Sequence, residues 1–183
     1  MGWERYLDFR CTGCGNCCRG TYLMVTDEDV RRIAKGTKRP IEDFVTFHPV
    51  EDINMGQRSP WGVKMSTQRK LMTVKWQRGG KCMFLGDEER CTIYSHRPMV
   101  CRSHPFEVTL TETGGIDRMA MSRVVDCPAE WDGHTTRRDL GLLERASTRE
   151  STGYLERVEA WNRSRSIPKR SPREFLRYVG LTE

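Results

Sequence analysis

Cys11-Thr-Gly-Cys14-Gly-Asn-Cys17-Cys18 places four thiols within eight residues, with two glycines between them. A loop this short cannot bury an apolar core, so packing does not account for it. Metal ligation does. Gaps of two residues let a loop curl until successive sulfurs converge on one centre. Gly13 and Gly15 permit the positive φ angles that such wrapping needs. Cys82, Cys91, Cys101 and Cys127 supply four further thiols. The expectation is that all eight cysteines ligate metal, and that the fold returns the later four to the N-terminal loop.

Zinc and iron–sulfur clusters are the two readings of this pattern. Structural zinc sites combine two close pairs. Here the later spacings are long: Cys82-x8-Cys91, Cys91-x9-Cys101 and Cys101-x25-Cys127. Cys11-x2-Cys14-x2-Cys17 instead matches the first three ligands of a ferredoxin-type run, in which a remote cysteine followed by proline completes a cluster. Cys127-Pro128 fits that closing ligand. Cys18 falls outside the run. Adjacent cysteines point in different directions, so Cys17 and Cys18 serve two centres or opposite sides of one. The cofactor expected is a 4Fe-4S cluster, one or two per chain, with zinc as the alternative.

A disulfide framework competes with both readings. Adjacent Cys17 and Cys18 make it awkward, and the chain opens Met1-Gly2-Trp3-Glu4-Arg5 with no apolar run of an export signal. No stretch approaches eighteen apolar residues. Met1-Gly2 suggests myristoylation, but Tyr6 stands where that motif needs Ser or Thr. A cytoplasmic, membrane-free protein is therefore expected, and in a reducing compartment clustered thiols indicate metal. The net charge of +6 counts thiols as neutral. Four thiolates around one Zn²⁺ carry about −2, so two such sites would bring the chain to about +2. The basic balance thus offsets a negative centre, and nucleic acid is not an expected partner.

Other residues stand close to the thiols in sequence. Arg19 follows Cys18, while Arg97 and Arg102 flank Cys101. Their guanidinium groups could donate to thiolate sulfurs or bind an anion. Tyr94 is expected to pack over the site. With eight thiols available, His96 and His104 are not needed as ligands, and His48 and His134 lie in loop-like contexts. Arg163, Arg165, Lys169 and Arg170 read as a solvated basic face.

The elements that must position these groups are short. Trp3, Tyr6 and Phe9 recur at three-residue spacing, as in an amphipathic lead-in. Thr26 caps a helix with acidic residues in its first turn, ended by Gly36, with Val30 and Ile33 inward and Arg31, Arg32 and Lys35 in water. Pro40 opens a short helix that buries Ile41, Phe44, Val45 and Phe47. Residues 49–61, with Pro49, Gly56 and Pro60, read as an exposed loop. Trp61–Met65 and Leu71–Trp76 read as a hairpin. Gly79-Gly80 turns the chain into Cys82, and Pro98 starts a helical turn that carries Cys101 inward. Phe106–Thr111 and Ile116–Val125 form a second hairpin about Gly114-Gly115. Residues 134–163 read as helix with a break near Ser151–Gly153, and a stripe of Leu140, Leu143, Leu155, Val158 and Trp161. Ser171-Pro172 caps a last helix bearing Phe175, Leu176 and Val179, closed by Gly180.

The sequence resembles the YkgJ-type cysteine-cluster family, the CxxCxxCC zinc- or iron-chelating domains. The matching residues are Phe9-Arg-Cys11-Thr-Gly-Cys14-Gly-Asn-Cys17-Cys18-Arg19, Cys82-Met-Phe-Leu85, Cys91-Thr-Ile-Tyr94, Arg97-Pro98, Cys101-Arg102, Pro105-Phe106 and Asp126-Cys127-Pro128. His104 departs from the pattern, where an aromatic residue is more usual. The resemblance covers most of residues 9–128 and leaves the last fifty-odd residues outside. It extends to the flagellin lysine-N-methylase, whose similar cysteine region implies an iron–sulfur cluster and brings methyl transfer within reach. The chain has no glycine-rich nucleotide loop after a strand, and no C-x3-C-x2-C spacing of radical chemistry.

These readings give an α+β chain. A loop-rich cysteine-cluster domain with a short antiparallel sheet occupies residues 1–130, and a helical extension occupies 131–183. The leading function is an iron–sulfur protein that transfers electrons or assists a protein- or peptide-modifying enzyme, so the expected partner is a protein or peptide. A structural zinc module for protein interaction is the second reading, and a modifying enzyme akin to the methylase is the third.

Overall fold

The structure, a computed structural model, describes residues 2–20, 22–53, 59–122, 126–166 and 170–183. Trp3–Asp8 form a 3-10 turn that leads into the thiol loop. Beyond the loop, Leu23 and Val25 exchange backbone hydrogen bonds with Val74 and Met72, so the chain leaving the thiols enters the core at once. Helix α1 (Asp27–Thr37) then starts on the expected cap, and Thr26 and Asp29 close a reciprocal capping box. It runs one residue past the expected stop at Gly36 and ends on Lys38, whose φ is 58°. Gly36 serves close approach instead: a Cβ there would lie 2.2 Å from the His96 ring.

Helix α2 (Ile41–Phe44) starts directly after Pro40, which makes no side-chain cap bond, and gives way to strand β1 (Val45–Pro49). Val45, Thr46 and Phe47 therefore belong to a strand and not to the expected helix, because β-branched and aromatic residues favour the pleated surface. Strands β2 (Val63–Lys64) and β3 (Arg69–Val74) form the expected hairpin. The sheet has order β1-β3-β2 and is antiparallel, with Phe47 opposite Met72 and Val63 opposite Lys70. In the expected exposed loop, Val50–Ile53 make a 3-10 turn with Val50 fully buried. Gly56 lies outside the described residues. Trp76 joins a separate pair, β4 (Trp76–Gln77) with β5 (Lys81–Cys82), across the Gly79-Gly80 turn.

The second hairpin comprises β6 (Phe106–Leu110) and β7 (Ile116–Met121). Residues 123–125, the expected end of β7, lie outside the described residues. Between the two small sheets, α3 (Met99–Ser103) follows Pro98 and carries Cys101.

Helix α4 (Arg137–Arg163) is unbroken over 27 residues. The expected break near Gly153 does not occur, because the neighbouring Tyr154 is 1% exposed and core packing outweighs the roughly 1 kcal/mol helix cost of glycine. Tyr154 takes its place in the buried stripe beside Leu140, Val158 and Trp161, and Leu143 and Leu155 are half-buried. Trp161 Nε1 donates to the Lys64 carbonyl at 2.8 Å, fastening α4 to β2. Helix α5 (Pro172–Tyr178) is capped by Ser171 as expected. One buried cluster holds Val25, Ile33, Phe44, Val63, Met72 and Phe84 together with Tyr154, Val158, Trp161, Phe175 and Val179. Residues on both sides of position 130 thus contribute to one core. Arg163 pairs with Glu159, and Arg170 donates to the Trp161 carbonyl at 2.6 Å. Lys169 lies outside the described residues. Among the described residues no helix is long and apolar enough to cross a membrane.

Candidate metal centre

The thiol loop tightens into a 3-10 turn over Asn16–Cys18, entered through Gly15 at φ 72°. Gly13, Gly15 and Gly20 all have positive φ, but their surroundings differ. A Cβ on Gly15 would stand 2.8 Å from the Glu89 carbonyl oxygen and 3.0 Å from Leu85 Cδ1. A Cβ on Gly20 would meet nothing within 4 Å. Gly15→Ala is therefore expected to disturb the metal loop, combining about 1–2 kcal/mol of left-handed backbone strain with a clash. Gly20→Ala carries the strain alone. Metal content of the two purified variants checks this, and equal loss from both would contradict it.

All eight cysteines line one cavity of about 480 Å³, together with Phe9, Leu23, Phe84, Ile93 and other side chains. They arrive from separate elements: the thiol loop, the start of the 82–91 turn at β5, its end, helix α3, and the segment after β7. Cys82 is buried, Cys11 and Cys17 are exposed, and the other five are half-buried. The Cys17 and Cys18 sulfurs stand 4.0 Å apart. Among the described residues no three Cys, His, Asp or Glu side chains form a group close enough to hold a single metal ion.

The thiols feel one another strongly. A hydrogen bond from Cys18 pulls the Cys82 thiol below its ordinary value, against the effect of burial. At Cys18 itself the contact with Cys17 lowers the value, but Cys82 and burial outweigh it and push the thiol up to about 12. Burial raises Cys101 and Cys91, and burial with Cys14, Cys11 and Cys17 pushes Cys127 up to about 11. Crowded thiols resist ionising together, and a bound cation reverses that balance by stabilising each thiolate. The donor set therefore suits a thiophilic metal, zinc or iron.

The residues expected around the thiols divide into two kinds. Arg97 lines the cavity, and its charge favours the thiolates of Cys17, Cys91 and Cys101. Its guanidinium carbon lies 3.7 Å from the Tyr94 ring centroid, and its Nε donates to the Tyr94 carbonyl at 3.1 Å. Tyr94 also lines the cavity but is 54% exposed, so it borders the site more than it covers it. Arg19 pairs with Glu89, which also meets Lys81 at 3.1 Å. Arg19 thus ties the thiol loop to the 86–90 loop. Arg102 donates to the Arg97 carbonyl at 3.0 Å and the Ser95 carbonyl at 2.7 Å. Those bonds hold the turn that carries Arg97, and its side chain borders a neighbouring cavity of about 190 Å³. Phe9 and His104 wall both cavities. His104 Nε2 is buried with no hydrogen-bond partner among the described residues, and burial lowers its basicity.

Two further residues position the thiols through long-range bonds. Asn16 Nδ2 donates to the Asp126 carbonyl at 3.0 Å, which brings Cys127 to the loop. Asp29, 3% exposed, accepts from Met99 N at 2.9 Å, from Thr26 N and from Arg32, and so anchors the helix of Cys101 on α1. Asp29 was readable only as an acidic residue in the first turn of α1, and its bond to Met99 spans 70 residues and leaves no local trace. Arg32, expected in water, is half-buried between Asp29 and Glu150.

A family model named CxxCxxCC and described as a "putative zinc- or iron-chelating domain" matches residues 10–128. The uncharacterized protein MJ0661 of Methanocaldococcus jannaschii is 30% identical over 105 residues, which are 56% of this chain and 47% of that protein. The chain thus spans about half the length of this curated relative. No solved structure matches it. The matched span holds every cysteine that borders the cavity, and the chain belongs to the CxxCxxCC family.

Proposed function

We propose that this chain is an iron–sulfur protein whose eight cysteines hold the metal and whose role is electron transfer or support of a protein- or peptide-modifying enzyme. The observation that carries the reading is the single cavity of about 480 Å³ bordered by all eight cysteines. A lone tetrahedral zinc uses four thiolates with metal–sulfur distances of about 2.3 Å, which this space and thiol count exceed. The run Cys11-x2-Cys14-x2-Cys17, with Cys127-Pro128 brought beside it, supports iron–sulfur ligation further. A cluster held there supplies reversible one-electron transfer. The chain's own residues fix the thiols, give the cavity apolar wall at Phe9, Leu23 and Phe84, and set the local charge through Arg97.

The neighbouring cavity favours the enzyme-supporting role. It shares Phe9 and His104 with the metal cavity, so a side chain bound there would lie one wall from the thiols. The partner would then be a protein or peptide. Titration of the anaerobic protein with dithionite tests the reading. Visible charge-transfer absorption should bleach reversibly, and a colourless protein with its metal bound would refute iron–sulfur and leave a structural zinc module.

Arg97 gives a separate expectation. Removing a cation beside a thiolate-ligated centre makes the oxidised, less negative state easier to keep, so Arg97→Gln should shift the reduction potential downward. Arg97→Lys, which retains the charge, should shift it less. Potentials of the three proteins, measured by redox titration, check the order, and identical values would contradict it.

A further inference from the structure

Backbone pairings flank the thiol loop on both sides, and they recruit different cysteines. Upstream, Arg10 and Glu130 exchange hydrogen bonds at 2.7 and 3.2 Å, and Gly133 N donates to the Asp8 carbonyl at 2.7 Å. With the Asn16–Asp126 bond, this pins Cys127 beside the stretch Cys11–Cys17. Downstream, Arg19 bridges Lys81 in antiparallel fashion, and Gly20 N donates to the Gly80 carbonyl at 3.0 Å. An antiparallel pairing of 19 with 81 sets Cys18 opposite Cys82. Leu85 in turn bridges Cys91, which folds Cys91 back over the segment that begins at Cys82. Cys101 approaches from α3, and its neighbours include Cys18 and Cys91.

At Cys127 and Cys82 the thiol neighbourhoods follow the same division. Cys127 feels Cys14, Cys11 and Cys17, whereas Cys82 feels Cys18, Cys101 and Cys91. Across the division, Cys17 and Cys11 reach Cys91, Cys17 reaches Cys101, and the Cys17 and Cys18 sulfurs stand 4.0 Å apart, so the two groups adjoin within one cavity.

We propose that the eight thiols form two four-ligand centres, an outer one of Cys11, Cys14, Cys17 and Cys127 and an inner one of Cys18, Cys82, Cys91 and Cys101. The division runs through the peptide bond between Cys17 and Cys18, and it rests on the metal-centre reading above. The outer set is a three-thiol run closed by a remote Cys-Pro, the ligand order of a ferredoxin cluster. It includes the two exposed cysteines, Cys11 and Cys17. The inner set includes Cys82, which is 7% exposed and packs in the core with Phe84 and Ile93. One centre thus faces solvent and the other faces the core.

Metal analysis of paired variants tests the division. Wild-type protein, purified anaerobically, should carry two centres per chain. Cys14→Ala/Cys127→Ala should retain about half the wild-type metal, and Cys82→Ala/Cys101→Ala the other half. Cys127→Ala/Cys82→Ala, which damages both sets, should retain little. The reduced wild type should show magnetic coupling between adjacent paramagnets that the outer-set variant lacks. Should the inner-set variant fail to fold, the wild-type count and the outer-set variant still decide. One centre per wild-type chain would overturn the proposal, and so would complete metal loss from the outer-set variant with its circular dichroism unchanged. The two readings fail separately. Two zinc ions per chain would keep the division and end the iron–sulfur reading, whereas a single iron–sulfur cluster would do the reverse.

Discussion

Chelating the metal from the anaerobic protein should raise amide exchange across the thiol loop and residues 82–101, while β1, β3, α1 and α4 keep their protection. The cysteine-bearing segments make few backbone bonds of their own: the thiol loop is a three-residue 3-10 turn, and α3 has five residues. Ligation that exists only in the folded state contributes its binding energy to folding, so these segments should lose most. The sheet and long helices share a buried apolar cluster that includes Phe44, Val63, Val74, Tyr154 and Trp161. Sequence alone suggests that residues 1–130 would loosen more than the C-terminal helices. The structure narrows that region, because α1 and the β1-β3-β2 sheet belong to the core shared with α4. Hydrogen exchange with mass spectrometry gives the answer segment by segment. Unchanged protection at Cys11–Cys18 and Cys82–Cys101 would contradict the expectation, as would collapse of protection in α4.

Asp29→Ala should destabilise the fold by about 3 kcal/mol, the lower end of the cost of removing one partner from a buried charged pair. Asp29 is 3% exposed, and the Arg32 side chain that faces it is 20% exposed, so water cannot replace the lost carboxylate freely. The substitution also strands Met99 N and the cap bond at Thr26 N. Glu150 holds Arg32 from the other side at 2.6 Å, which limits the loss. Asp29→Asn keeps an oxygen acceptor and should cost less. Because α3 hangs on the Met99 bond, Asp29→Ala should also make Cys101 react faster with an alkylating reagent in the metal-free protein. Urea unfolding measures the first effect and peptide mapping the second. A loss below about 1 kcal/mol would show that the Asp29–Arg32 pair is not held as tightly as its burial implies.

How far the site could be read in the sequence depended on the range of the forces involved. The thiol loop was legible because its residues act locally: thiol spacing and positive-φ glycines need no distant partner. The caps at Thr26 and Ser171 were legible for the same reason. The assembly of the cavity was only an expectation, since Cys82, Cys91, Cys101 and Cys127 reach it through isolated bridges such as Arg10–Glu130 and Arg19–Lys81. Such bridges have no periodicity. Strand β1 was read as helix because Pro40 signals a start but not an end, and the pairing with β3 decides the matter. The α4 break at Ser151–Gly153 was expected from propensity, which core contacts at Tyr154 and Val158 override. Gly36 looked like a helix stop, whereas its function is to admit the His96 ring. Arg102 was legible as a neighbour of the site, but the direction of its side chain was not. Its donors close on carbonyls of the turn that presents Arg97.

Iron, zinc and acid-labile sulfide measured together on protein purified without oxygen test the central claim most directly. The expected result is iron and sulfide in about equal amounts, with zinc well below one per chain. Stoichiometric zinc with no acid-labile sulfide would contradict it.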